Sequence, residues 1–354
     1  MALQSNGFPA QNLEGPSMSL TRRSLIHGSL SLGAAVTAAP LLPQVSTAAE
    51  PASSDARTKV VLLGTAGGPF PDNGRSGIAS ALVVDGQAYV VDVGQAAANQ
   101  VFKAGLPYDS IRAVLVSHLH SDHIADLYNL VWLNWKPRRG GEVATPIEVF
   151  GPGRATGLPE KSGGGQVATV NPENPTPGTV DYFASCVAAT AYDVNERMRD
   201  TERPDIRTVF RAHDITVPAV GAGPHGPYAP PVEPWVVFED DRVRVSAILV
   251  DHPPVYPSFA FRFDTADGAV VFSGDTARSD NLVRLARDAD VLVHEVIDID
   301  YFTDQQIPPK QLAHLRDSHT DVADVGAIAE AAGARTLVLN HLVPADVDAI
   351  SDAT

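Results

Sequence analysis

With 354 residues, 44% of them hydrophobic, the chain can bury a large core and form one or two domains. Its single cysteine, Cys186, excludes any intrachain disulfide and is read as a small apolar packing residue. A formal net charge of −16 argues against a polyanionic partner, because nucleic acid is held through Lys and Arg contacts.

In chain order, Thr21-Arg22-Arg23-Ser24-Leu25-Ile26 precedes an Ala/Gly/Leu-rich stretch from Gly28 to Leu42 and the small residues Ser46-Thr47-Ala48-Ala49. A charged start, a mildly apolar centre and small residues behind it predict an export signal with paired arginines. Gly28, Gly33, Pro40 and Pro43 interrupt the apolar part, so no stable membrane span is expected. Met18 lies just before the arginines, which leaves Met1 and Met18 as alternative starts. The expected organisation is a signal peptide and disordered N-terminus over 1–49 and one folded domain over 50–354, in the periplasm or secreted.

Within that domain, Leu63-Gly64-Thr65-Ala66-Gly67-Gly68 is a glycine turn, and Val90-Val91-Asp92-Val93-Gly94 is an apolar run closed by Asp92. The turn is not Gly-x-Gly-x-x-Gly, and no acidic residue closes a βαβ unit behind it, which excludes a dinucleotide site. Ile111 to Val116 reads as a buried strand and Ile124 to Val131 as a helix. Between them stands His118-Leu119-His120-Ser121-Asp122-His123, four metal-ligand types in six residues. On the extended part His118 and His120 share a side, and Asp122 and His123 follow on the turn. That density suits two adjacent metals better than one. Imidazole and carboxylate without thiolate suggest zinc, with iron or manganese as alternatives.

Beyond the cluster, residues 154–235 are dense in Pro and Gly and predict a long insertion of loops and a few short elements. Lys161 is its only lysine, where a basic nucleic-acid-binding arm would carry several. Three apolar runs then end in ligand types: Val245 to His252, Ala269 to Asp275, and Thr336 to His341. His294-Glu295 follows Val291-Leu292-Val293, and Ser318-His319-Thr320 opens a helix. Seven of the chain's 11 histidines fall in these motifs. Strand runs alternating with helical stretches at 277–289 and 320–332 predict α/β layering.

The His-x-His-x-Asp-His run and the ordered strand-end residues resemble the metallo-β-lactamase superfamily. His294-Glu295, Ser318-His319-Thr320 and the glycine turn resemble its tRNase Z and arylsulfatase-like branch. The resemblance covers about residues 58–343 and implies a four-layer αββα fold, two mixed sheets face to face with helices outside. It implies two zinc ions: His118, His120 and His252 hold one, Asp122, His123 and His341 the other, and Asp275 bridges them. Asp92, His294 and Glu295 are expected behind these ligands. Asp122 is expected to orient the nucleophile, and His319 to act as acid or oxyanion binder.

The reading that follows is an exported dinuclear hydrolase cleaving a small ester-type substrate through a metal-bridging hydroxide. Its alternatives are a phosphodiesterase or arylsulfatase-type sulfuric ester hydrolase, then a lactonase, then a tRNA 3′ endonuclease, with a non-enzymatic metal-binding module last. No nucleic-acid partner is expected, and the reading leaves room for a homodimer.

Overall fold

The computed structural model describes residues 57–70, 74–135 and 145–346. The export signal read at 1–49 lies outside the described residues. Short β-branched runs form two mixed sheets. In the first, β1 (Thr58–Gly64), β2 (Ala79–Val84) and β3 (Gln87–Val91) are antiparallel neighbours. Asp85 and Gly86, both at positive φ (50° and 76°), make the two-residue turn between β2 and β3, a conformation that suits Asp-Gly. β4 (Ile111–Leu115), β5 (Ile147–Pro152) and β6 (Phe210–Ile215) extend this sheet in parallel.

The second sheet repeats the scheme. β7 (Trp235–Glu239), β8 (Val243–Leu249), β9 (Phe259–Thr265) and β10 (Gly268–Phe272) are antiparallel, and β11 (Val291–Ile297) and β12 (Thr336–Val343) add in parallel. Leu82, Tyr89 and Leu115 of the first sheet share a buried core with Val245, Phe261 and Phe263 of the second. The opposite face of the first sheet, Ala81, Val90, Val114 and Val149, packs with residues of α1 (Ala97–Lys103), α3 (Leu127–Trp132) and α4 (Thr179–Ala189). Leu282 and Leu285 of α6 (Asp280–Leu285) and Ile328 and Ala332 of α9 (Val322–Ala332) cover the second sheet. Strands buried on both faces explain why every residue of β2 is buried and the run is not alternating. The architecture is αββα.

The Pro/Gly-rich segment after β5 contributes more regular structure than its composition suggests. It holds α4, α5 (Ala191–Asp200) and the edge strand β6. The two helices are fixed to α3: Tyr128 Oη lies 2.7 Å from Thr190 Oγ1, and Trp132 Nε1 donates to Asp193 at 2.9 Å. α6 is shorter than the expected helix at 277–289, because Asp275 to Ser279 is spent carrying the chain out of β10. Among the described residues no helix is long and apolar enough to cross a membrane.

Candidate metal centre

Strand ends converge at one edge of the two sheets. β4 ends at Leu115, and extended backbone carries His118 and His120 into α2 (Ser121–Ile124). Asp122 and His123 therefore sit in a helical turn. His252 follows the end of β8, and Asp275 the end of β10. β12 does not stop at His341. The β11–β12 register slips between Glu295 and Val296, leaving His341 as an extra residue with φ +44°. A bulge of this kind re-aims a side chain without ending the strand.

The ligand-type atoms gather closely. His118, His120 and His252 each offer a nitrogen within 4.8 Å of the other two, and Asp122, His123, Asp275 and His341 form a second such group. Asp275 Oδ2 lies 3.2 Å from the Nε2 of both His123 and His341, 3.9 Å from His118 Nε2 and 4.0 Å from His252 Nε2. His120 Nδ1 lies 3.4 Å from His252 Nε2. Asp122 Oδ2 accepts from the Gly68 amide at 3.1 Å and lies 3.4 Å from His341 Nε2.

A second layer fixes the imidazoles. His123 Nδ1 donates to Asp92 Oδ2 at 2.9 Å, and Asp92 is held by the Ser117 amide and hydroxyl, both at 2.8 Å. His252 Nδ1 donates to the Ser318 carbonyl at 2.8 Å. A proton on Nδ1 leaves the Nε2 lone pair free to coordinate. His118 Nε2, His123 Nε2 and Asp275 Oδ1 are buried and have no hydrogen-bond partner. Orphaned acceptors facing one another in a nitrogen-and-carboxylate set, without thiolate, fit zinc, iron or manganese.

Electrostatics agree with that use at His118 and His252. Burial pushes His118 well below the ordinary histidine value and His252 down to about 3, which keeps both neutral. Burial works against Asp122 ionising, but the His341 hydrogen bond and the His123 charge outweigh it and hold the carboxyl below its usual range. His319 behaves oppositely. Burial lowers it, yet the Glu295 carboxylate outweighs burial and raises it to about 9.

Glu295 Oε1 receives His319 Nδ1 at 3.1 Å and the Thr276 and Thr320 amides at 3.0 and 3.3 Å. His319 is thereby held at the mouth, its ring 5.1 Å from that of His252. Of the residues singled out in the sequence, His294 is the one the structure keeps apart. It is buried, and its Nδ1 donates to the neighbouring Glu295 carbonyl at 2.6 Å. Alternation along β11 turns it away while Glu295 faces the cluster.

Sequence reasoning did not single out Ser117 or the packing role of Gly67 and Gly94. Ser117 looks like one more small residue between a strand and the His run. A Cβ on Gly67 would meet His341 Nδ1 at 2.6 Å, and one on Gly94 would meet the Asp122 carbonyl at 2.2 Å and that of Ile78 at 2.8 Å. Gly94→Ala must therefore push apart backbone beneath α2. We expect it to cost about 1–3 kcal/mol in urea denaturation, as overpacking does. An unchanged midpoint would show that the α2 segment can shift freely.

Comparison with known proteins fits this geometry. A family model described as anti-Pycsar protein Apyc1 matches residues 59–138. Ribonuclease Z of Mycobacterium bovis (strain BCG / Pasteur 1173P2) is 31% identical over 289 residues, 81% of this chain and 86% of that protein. Ribonuclease Z of Mycobacterium marinum is 29% identical over 287 residues, 81% of this chain and 87% of that protein. The crystal structure of human tRNase Z, short form, superposes with a TM-score of 0.53 at 21% identity, covering 80% of this chain and 92% of that one.

These likenesses correct three expectations drawn from composition and the N-terminus. Relatives spanning four-fifths of the chain are named as ribonucleases, which overturns the small ester-type substrate and the exclusion of nucleic acid. They overturn the periplasmic or secreted location with it, a placement that rested on the N-terminal stretch at 1–49, outside the described residues. The physical error lay in the charge argument. Net charge sums over a whole surface, whereas RNA needs cations only along its path.

Proposed function

The chain belongs to the ribonuclease Z family of metallo-β-lactamase-fold hydrolases, and from that premise we propose that it hydrolyses an RNA phosphodiester, with tRNA precursors as the substrate class. The observation that carries the reading is Asp275 Oδ2, within 4.0 Å of four imidazole nitrogens drawn from three different segments. One carboxylate shared by two groups of imidazoles is the arrangement for a pair of divalent ions. His118, His120 and His252 would hold one zinc, Asp122, His123 and His341 the other, and Asp275 would touch both. When bound, such ions supply Lewis acidity that makes water a nucleophile near neutral pH and offsets charge on phosphoryl oxygens.

The protein's own residues do the rest. Asp122, its carboxylate held ionised and braced by the Gly68 amide, orients the attacking water. Asp92 and the Ser318 carbonyl keep His123 and His252 in the tautomer that ligates through Nε2. His319, its Nδ1 engaged by Glu295, presents Nε2 to protonate the departing alkoxide oxygen.

A precursor tRNA bearing a 3′ extension tests the reading. Zinc-loaded protein should make one cut that releases the extension, lose that activity to a chelator and regain it with zinc. Loaded protein that leaves the precursor intact while hydrolysing a simple activated phosphodiester would overturn the RNA assignment and keep the hydrolase.

A further inference from the structure

Beside His120 the centre opens into a cleft of about 270 Å³. Its walls are Leu119, Leu158, Val255 and Tyr256 together with six prolines, including Pro152, Pro177 and Pro254. His120 belongs to both the cleft and the ligand cluster, so a group seated in the cleft lies next to whatever reacts at the centre. No Lys, Arg, Asp or Glu lines it. A phosphate there would be desolvated without counter-charge.

On the ribonuclease reading, we propose that this cleft is the subsite for one unpaired nucleobase adjoining the scissile phosphate, with Tyr256 as its stacking face. The phosphate goes to the His/Asp cluster, and the uncharged flat group attached to it takes the apolar walls. The size suits a small planar ligand and not a protein segment. Tyr256 is half-buried, and its hydroxyl donates to the Ala222 carbonyl at 3.3 Å, which fixes the ring. Proline walls have little conformational freedom to lose when a ligand binds. Stacking accepts any base, because every base has a π-face, so the subsite recognises an unstacked nucleotide and not a particular sequence.

The test compares adenosine 5′-monophosphate with ribose 5-phosphate, titrated calorimetrically into zinc-loaded protein. Both carry the same phosphate and sugar, so their ratio isolates the base. Wild type should prefer the nucleotide by roughly ten- to a hundredfold, the equivalent of one stacked base. Tyr256→Ala should bring the two ligands within about threefold, and Tyr256→Phe should keep the preference. Zinc content should be equal in all three proteins. Equal binding of both ligands by wild type, or an unchanged preference in Tyr256→Ala, overturns the subsite. This result is read without RNA cleavage, so failure to cut precursor tRNA would sink the ribonuclease reading separately.

Discussion

Replacing Asp275 with alanine is expected to lower occupancy of both metal sites together and to reduce turnover by at least about a thousandfold, since a Lewis-acid pair is worth several kcal/mol of transition-state stabilisation. The expectation follows from reach. Asp275 Oδ2 approaches His123, His341, His118 and His252, whereas Asp122 approaches only His123 and His341. Removing it also strips the one carboxylate among the described residues within 4.0 Å of imidazoles of both groups, so their mutual repulsion on binding cations is no longer offset. Asp122→Ala should instead weaken one site and leave the other filled. Elemental analysis of the purified proteins distinguishes these outcomes. Two ions per chain in Asp275→Ala, or one in the wild type, would end the shared-carboxylate assignment.

The αββα layering and the region of the centre were legible because apolar runs stop at ligand-type residues. Val245 to Val250 before His252, and Ala269 to Phe272 before Asp275, are apolar core runs followed closely by a titratable residue. What periodicity could not show was local backbone geometry. His341 lies on a bulge inside β12, and Asp92 takes φ +57° just past β3. Neither conformation has a signature in residue spacing, although Asp tolerates positive φ better than most residues. His294 misled for the opposite reason. Adjacent to Glu295, it resembles a ligand by type, and period-two alternation in β11 sends it to the other face.

The insertion and the charge balance were both read as averages. Pro and Gly mark 154–178 and 216–234, yet Val180 to Arg199 between them carries the apolar positions Phe183 and Val194 that anchor α4 and α5 on the core. The same averaging hid where the cations stand. The chain has five lysines, and two of them reach the glycine turn at 163–165. Side chains on Gly163 and Gly165 would come within 3.9 Å of Lys310 Nζ and 3.7 Å of Lys161 Nζ respectively. Two ammonium groups at one turn are compatible with RNA even on a chain of net charge −16.

His319→Ala should retain both metals and lose about two to four orders of magnitude in turnover on RNA, the range general acids supply. Its hydrogen bonding alone does not separate it from a ligand. Like His123 and His252 it gives Nδ1 to an acceptor, and its ring lies 5.8 Å from that of His341. Exposure sets it apart from four of the ligands: the His319 side chain is 11% exposed, against 0–3% for His118, His123, His252 and His341, although His120 is exposed as well. Glu295 favours the charged imidazole and so keeps a proton available for the departing oxygen. The decisive comparison uses two phosphodiesters, RNA with its poor alkoxide leaving group and a p-nitrophenyl diester that needs almost no protonation. Loss confined to RNA identifies the acid. An equal loss on both would make His319 a binder of the phosphoryl oxygens, and loss of an ion from His319→Ala would place it among the ligands.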